Sequence, residues 1–205
     1  MAASIDLDYP FAGRWLVRNS PADRVPSHGT TRFASSYAID FVPVGEDGRI
    51  APIGFASLVR SEPPEHFPGF GRPVLAPIDG EIIAAHDTEP DHAAHRGLPS
   101  IGYALTQNRR AAAGWVALAG NHVLIDAGAI VIALCHLQQG SVAVQAGQRV
   151  RRGERIGCCG NSGNSMEPHV HVQALDSAVI ERANAVRMTF RGTIARNGRI
   201  VDAAE

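Results

Sequence analysis

The stretch Gly160–Val172, GNSGNSMEPHVHV, runs from a Gly/Asn/Ser-rich turn through a proline into alternating histidines and valines. A turn of that composition followed by a valine-rich run predicts a strand that starts just after Pro168. Residues i and i+2 of a strand share a face, so His169 and His171 project together, about 7 Å apart along the chain. Val170 and Val172 then face the core. At that spacing one imidazole can hold a metal while its neighbour touches whatever the metal holds. Two solvated surface histidines give the same local pattern, so the meaning of the pair depends on what the rest of the chain supplies. It supplies three further candidates: His136 near the end of an apolar strand, Asp40 inside another, and His28 shortly before Asp40.

Working outward, Asn121–Asp126 (NHVLID) and Ala129–Leu137 (AIVIALCHL) are two apolar strands joined at Ala127-Gly128. Strand alternation puts Ile130, Ile132, Leu134 and His136 on one face of the second, and Val131, Ala133 and Cys135 on the other. His136 is therefore either a satisfied core histidine or a site residue. Asn121 and His122, at the start of the preceding strand, are expected to support a site from behind or to pack. Upstream, Tyr37–Val44 (YAIDFVPV) is a strand with Tyr37, Ile39 and Phe41 on one face and Ala38, Asp40 and Val42 on the other. A carboxylate buried unpaired in such a strand costs several kcal/mol, so Asp40 requires a cation, a metal or several donors. His28 lies in the polar loop 19–36 and is the only histidine upstream of Asp40. Catalytic zinc sites commonly take three protein ligands from separated segments.

The remaining segments frame these candidates. Arg14–Arg18 (RWLVR) reads as a first strand, and 54–72 as an irregular Pro/Gly-rich loop. Arg72–Asp87 predicts two short strands around an Asp79-Gly80 hairpin turn, with His86 structural or exposed. In residues 88–120, Pro90 and Pro99 leave little room for a helix that would place His92 and His95 one turn apart. That insertion, including a short helical piece in RRAAAGWVALAG (109–120), is expected to wall a groove rather than to bind metal. The tail from Asp176 predicts a short helix and a type I′ hairpin at Asn197-Gly198.

Composition sets the class. A length of 205 residues suits one domain: an N-terminal strand and loop (1–36), a core (37–175) with insertions at about 54–72 and 88–120, and a tail (176–205). Twenty-one glycines and thirteen prolines imply frequent turns, hence an all-β, or at least β-rich, fold. A net charge of -1 offers no basic footprint for nucleic acid. The opening MAASIDLDYPFAGRW shows neither the basic nor the apolar region of a secretory signal, and no apolar run is long enough to span a membrane. The expectation is a cytoplasmic protein with no membrane partner. Cysteines 135, 158 and 159 are odd in number, two of them adjacent, and are expected to be buried thiols rather than a disulfide framework.

The segments GNHVLID (120–126) and CHLQQGSVAVQAGQRVRRGERIGCCGNSGNSMEPHVHVQ (135–173) resemble the core of the M23 zinc metallopeptidases, the lysostaphin/LytM-type endopeptidases. RPVLAPIDGEII (72–83) resembles the strand-turn-strand that precedes that core, and YAIDF (37–41) a variant of the segment with the metal aspartate. The resemblance extends over about residues 28–173 and implies a compact antiparallel β-sheet groove. It implies one Zn2+ per chain held by His28, Asp40 and His171, with His136 and His169 as the non-ligand catalytic pair. It also implies a peptide substrate, in the family usually the stems or cross-bridges of peptidoglycan. One departure stands out: the commonest family form, H-x-x-x-D, has three residues between histidine and aspartate, whereas eleven separate His28 from Asp40. LAPIDGEII and VQAGQRVRRGERIG also resemble half-motifs of lipoyl/biotinyl domains and of glucose-type phosphotransferase carriers. The chain contains no lysine, so a lipoyl or biotinyl attachment is ruled out. A phosphocarrier would have no need of Asp40, and a metal-free regulator no need of all five residues.

Overall fold

The computed structural model describes residues 4–203 except 53, 106–109 and 111. The centre of the molecule is a run of strands whose sequences are apolar on both faces. β6 (Asn121–Asp126) and β7 (Val131–Leu137) form an antiparallel hairpin around Ala127-Gly128, as the sequence predicts. Gly128 takes a φ of 98°, and its N–H is held by the Asp126 carboxylate at 2.8 Å. β10 (Val170–Leu175) lies on the other side of β7, and β3 (Ile39–Pro43) beyond β10, again antiparallel. The sheet continues on one side through β2 (Gly13–Arg18) to β12 (Ile200–Ala203). On the other it continues through β5 (Gly80–His86) to β8 (Arg149–Val150). β11 (Ala185–Phe190) pairs with the end of β10 and, in parallel, with β1 (Ser4–Leu7). The architecture is mostly antiparallel β-sheet with few short helices.

One face of this sheet is packed throughout. Ile39 and Phe41 of β3, Val170 and Val172 of β10, and Ile132 and Leu134 of β7 lie in one core, which a two-stranded sheet of β4 (Pro73–Leu75) and β9 (Arg155–Cys158) helps to close. Phe11 and Trp15 stack at 4.3 Å between ring centroids, and Phe41 meets Phe11 and Phe190 edge-on. Truncating one of these buried rings to alanine costs about 3–5 kcal/mol. The opposite face carries only a small cluster, with Ala133 and Cys135 of β7 under Trp115 and Ala119. It is therefore the face left for a site.

Helices among the described residues include α1 (Phe55–Val59), α2 (Leu98–Leu105) and α3 (Trp115–Ala119). None among the described residues is long and apolar enough to cross a membrane. α3 occupies part of the Ala-rich piece, of which Arg109 and Ala111 lie outside the described residues, and the loop 54–72 contains α1. The tail holds a 3-10 turn, Ile180–Arg182, where the sequence predicts a short helix. All three cysteines are buried and free.

Three local expectations are corrected. β4 and β5 do not pair with each other: β4 pairs with β9, and β5 with β6 and β8. Gly80 is an ordinary strand residue whose Cβ position is closed off by the Asp126 carbonyl at 2.5 Å, while the Asp79 carboxylate accepts the Arg152 N–H. Nor does Asn197-Gly198 close a hairpin, because β11 and β12 belong to different ladders. Asn197 is occupied instead, accepting from the Ser20 N–H and donating its own N–H to Asp23. The two positive φ values of a type I′ turn fall at Arg191 and Gly192, between Phe190 and Thr193. The strand predicted to begin at Tyr37 begins at Ile39, because Arg32–Tyr37 forms a 3-10 segment.

Candidate metal centre

Asp40, His171 and His136 come from β3, β10 and β7, three adjacent strands in the middle of the sheet. Asp40 and His171 are direct cross-strand partners, and His171 is in turn opposite Cys135. His169 immediately precedes β10 and projects to the same side, its Nε2 3.8 Å from the Asp40 carboxylate. The long loop returns His28 to the strand despite the wide spacing, with its Nε2 3.1 and 3.2 Å from the two Asp40 oxygens. His171 Nδ1 is 2.9 Å from Asp40 Oδ1. Ligand atoms of His28, Asp40 and His171 all lie within 4.8 Å of one another.

His136 reaches this group by a route that alternation does not predict. Alternation puts it on the face of Ile132 and Leu134, but those residues point into the packed core and His136 does not. Its φ is 64°, and the β6–β7 register slips beside it, with Asn121 opposite Leu137 and His122 opposite Cys135. This bulge turns His136 to the Cys135 side, where its ring is 4.7 Å from that of His169 and 5.9 Å from that of His171. The left-handed backbone is stabilised from behind: the Gly160 N–H donates to the His136 carbonyl at 3.0 Å. Only glycine fits at 160, since a Cβ there would lie 2.3 Å from the Gln138 nitrogen.

Each of the four imidazoles has one ring nitrogen committed to a fixed partner, and this sets what the other nitrogen offers. His136 Nδ1 donates to the Ser162 carbonyl at 2.9 Å, and His169 Nδ1 to the Glu167 carbonyl at 2.8 Å. Both therefore present an unprotonated Nε2. For His171, Nε2 donates to Gln173 Oε1 at 3.0 Å. The amide of Gln173 is fixed in that sense because its Nε2 donates to the Phe33 carbonyl at 3.1 Å. That carbonyl is presented by a segment in which Phe33 and Ala34 have φ values of 54° and 58°. The Ser27 hydroxyl, donating to the Ser35 carbonyl, accepts from His28 Nδ1 at 2.9 Å. His171 Nδ1 and His28 Nε2 are thus directed as lone pairs at a carboxylate. Two imidazole lone pairs and a carboxylate facing one another repel unless a cation or extra protons join them, so this donor set fits a divalent metal such as zinc.

With no metal bound, a proton on His171 Nδ1 plays the part of the cation. Burial would raise the Asp40 pKa, but the nearby His28 and His169, and the contacts with His171 and His28, hold it well below the usual carboxylate range. Burial opposes charge on His171, yet the hydrogen bond and charge of Asp40 outweigh it and raise its pKa. Burial lowers the pKa of His169 against the pull of Asp40, and drives that of His136 well below the ordinary imidazole value.

Several neighbours escaped the sequence reading. Asn19, the first residue after β2, donates to Asp40 Oδ2 at 2.6 Å, a position set by the pairing of Arg18 with Asp40. Glu167 is ion-paired with Arg18 beside the cluster. Asn121 supports the site indirectly: its side chain joins the Glu89 and Leu137 backbones, and its N–H donates to Ser162, whose carbonyl holds His136. His122 packs against Trp115 and stacks on His86. His92 and His95 stack with Tyr103 in the insertion, which contributes Tyr103, Arg110 and Trp115 to the wall of a cavity of about 570 Å3 over the cluster.

A model of peptidase family M23 matches residues 67–185. No curated protein matches the sequence. Among solved structures, the catalytic domain of the antimicrobial peptidase lysostaphin from Staphylococcus simulans is 19% identical, covering 73% of this chain and 74% of that one, with a TM-score of 0.41. The catalytic domain of the prophage-encoded M23 protein EnpA from Enterococcus faecalis, in a point-mutant form, is 16% identical over 73% of each chain, with a TM-score of 0.39. A zinc-containing peptidase from Vibrio cholerae is 20% identical over 72% of this chain and 48% of that one, with a TM-score of 0.37. The family match spans more than half of the chain, His136, His169 and His171 included, and this protein belongs to peptidase family M23.

Proposed function

We propose that the protein is a zinc-dependent endopeptidase that hydrolyses peptide bonds in short peptides such as peptidoglycan stems or cross-bridges. The observation that carries this reading is the aim of His28 Nε2 and His171 Nδ1 at the Asp40 carboxylate, each fixed by a partner on its other ring nitrogen. These three side chains would hold one zinc ion. When bound, zinc supplies Lewis acidity toward water and toward the scissile carbonyl.

The protein's own groups move the proton. The unprotonated Nε2 atoms of His136 and His169 accept the two hydrogens of one water and turn its lone pair toward the carbonyl carbon. His169 takes the proton: its Nε2 lies 3.8 Å from the Asp40 carboxylate, and of the two imidazoles it is His136 that burial, with His169 and His171 beside it, holds well below the ordinary value. The carbon–nitrogen bond then breaks, and His169 Nε2 returns the proton to the leaving amine. Positioned acid–base groups of this kind contribute about 10²–10⁴ in rate. The test is cleavage of synthetic peptides and purified peptidoglycan by the zinc-loaded protein. His169→Ala is expected to keep its zinc and lose activity by about that factor, and cleavage at the wild-type rate would refute the assignment.

A further inference from the structure

The whole chain is close to neutral, with a net charge of -1, but the wall of the groove is not. Arg18, Arg24, Arg32 and Arg110 line it, against two carboxylates, Asp40 and Glu167. Both carboxylates are already engaged, Asp40 with His28 and His171 and Glu167 with Arg18. Arg24 and Arg32 lie on the loop that carries His28, and among the described residues neither has a carboxylate partner. Both are exposed, and each makes a contact within the loop itself. Arg24 donates through Nε to the Ser27 carbonyl at 2.9 Å, which orients its guanidinium and leaves the terminal nitrogens for a ligand. The Arg32 guanidinium packs 5.2 Å from the centroid of the Phe33 ring. Across the groove, Arg110 lies over the ring of Tyr103 at 3.7 Å. Cationic side chains concentrated in a cleft focus the field and favour anionic ligands, and a guanidinium matches the fork of a carboxylate.

We infer that Arg24 and Arg32 form a carboxylate subsite, so that the groove selects peptides carrying a negative charge close to the bond that is cut rather than neutral glycine- or alanine-only segments. This rests on the endopeptidase reading for the word substrate, but the binding preference itself does not need zinc. A carboxylate could come from an acidic side chain or from a free peptide C-terminus, and the experiment separates them.

The test uses two pairs of fluorescent alanine pentapeptides. One pair, with amidated C-termini, has a central Glu or Gln, and the other is all alanine with a C-terminal acid or amide. Binding is measured by anisotropy to the zinc-loaded and to the chelator-treated protein, and cleavage by the zinc-loaded form is followed in parallel. The carboxylate member of at least one pair is expected to bind about tenfold tighter or more in both protein forms. Arg24→Gln combined with Arg32→Gln is expected to abolish that preference. Arg149→Gln, on an exposed edge away from the groove, is expected to leave it intact. A preference in the Glu/Gln pair assigns the subsite to side chains, and one in the acid/amide pair assigns it to termini. Equal binding within both pairs, undetectable binding of every member at millimolar concentration, or a preference that survives the double substitution overturns the inference. If a neutral peptide is nevertheless cleaved, the peptidase reading stands without the subsite. If the preference is present and the zinc-loaded protein cleaves neither these peptides nor purified peptidoglycan, the subsite stands and the peptidase reading fails.

Discussion

His122 provides a quantitative test of how the sheet behind the site is built. Its ring is buried between Trp115 and His86, and its Nδ1 donates to the Gly120 carbonyl at 2.7 Å. Burial lowers its pKa from 6.5 to about 4, with the Gly120 hydrogen bond opposing and the neighbouring His86 adding to the effect. The unfolded chain therefore takes up a proton near pH 6.5 that the folded chain refuses until about pH 4. Stability is intact above pH 6.5 and falls as pH drops toward 4. At about 1.4 kcal/mol per pH unit, this one residue removes about 3 kcal/mol over that window. In His122→Gln, which keeps a donor for Gly120, that part of the acid sensitivity disappears. Urea unfolding of chelator-treated wild type and variant at pH 7 and pH 4 measures it, with the shared contribution of His136 and His169 cancelling in the difference. Equal losses of stability in the two proteins would show that His122 is not held neutral by its surroundings.

Other perturbations probe the centre itself. Gln173→Leu removes the acceptor of His171 Nε2 and is expected to weaken zinc binding about 10–100-fold in chelator competition, with Gln173→Glu restoring much of it. Unchanged affinity in the leucine variant would mean that Gln173 does not orient the ligand. Gly160→Ala forces a methyl against the Gln138 backbone. A stability loss of about 3 kcal/mol, at the upper end for overpacking, should accompany loss of activity, and normal stability by thermal unfolding would contradict the tight approach. Burial keeps His136 and His169 below the ordinary imidazole pKa. Activity is accordingly expected to hold at neutral pH and to fall only on the acid side of 6.5; a rate–pH profile already falling above pH 7 would argue against neutral histidines.

The parts of this fold that are legible from sequence are those where the side-chain period alone decides the outcome. The β6–β7 hairpin, the strand carrying Asp40 and the shared face of His169 and His171 all follow from alternation. Gln173 is equally accessible, because HVHVQ places it two residues beyond His171 on the same face. For His136 alternation gives the wrong face, since a single left-handed residue inverts the pattern and nothing in AIVIALCHL marks where it falls. Asp79-Gly80 and Asn197-Gly198 have hairpin composition, but their side chains are occupied by distant partners and the adjoining strands join other ladders. Asn19 depends on the β2–β3 register that sets Arg18 opposite Asp40, and the return of His28 on the path of a long loop that carries no period at all.

The central claim is that His28, Asp40 and His171 together hold one metal ion. Elemental analysis of the purified wild type and of His171→Ala, after zinc loading and removal of excess, tests it most directly. The expected result is about one zinc per chain in the wild type and close to none in the variant, with both remaining folded by circular dichroism. Wild type without stoichiometric zinc, or a variant that retains it in full, would contradict the account.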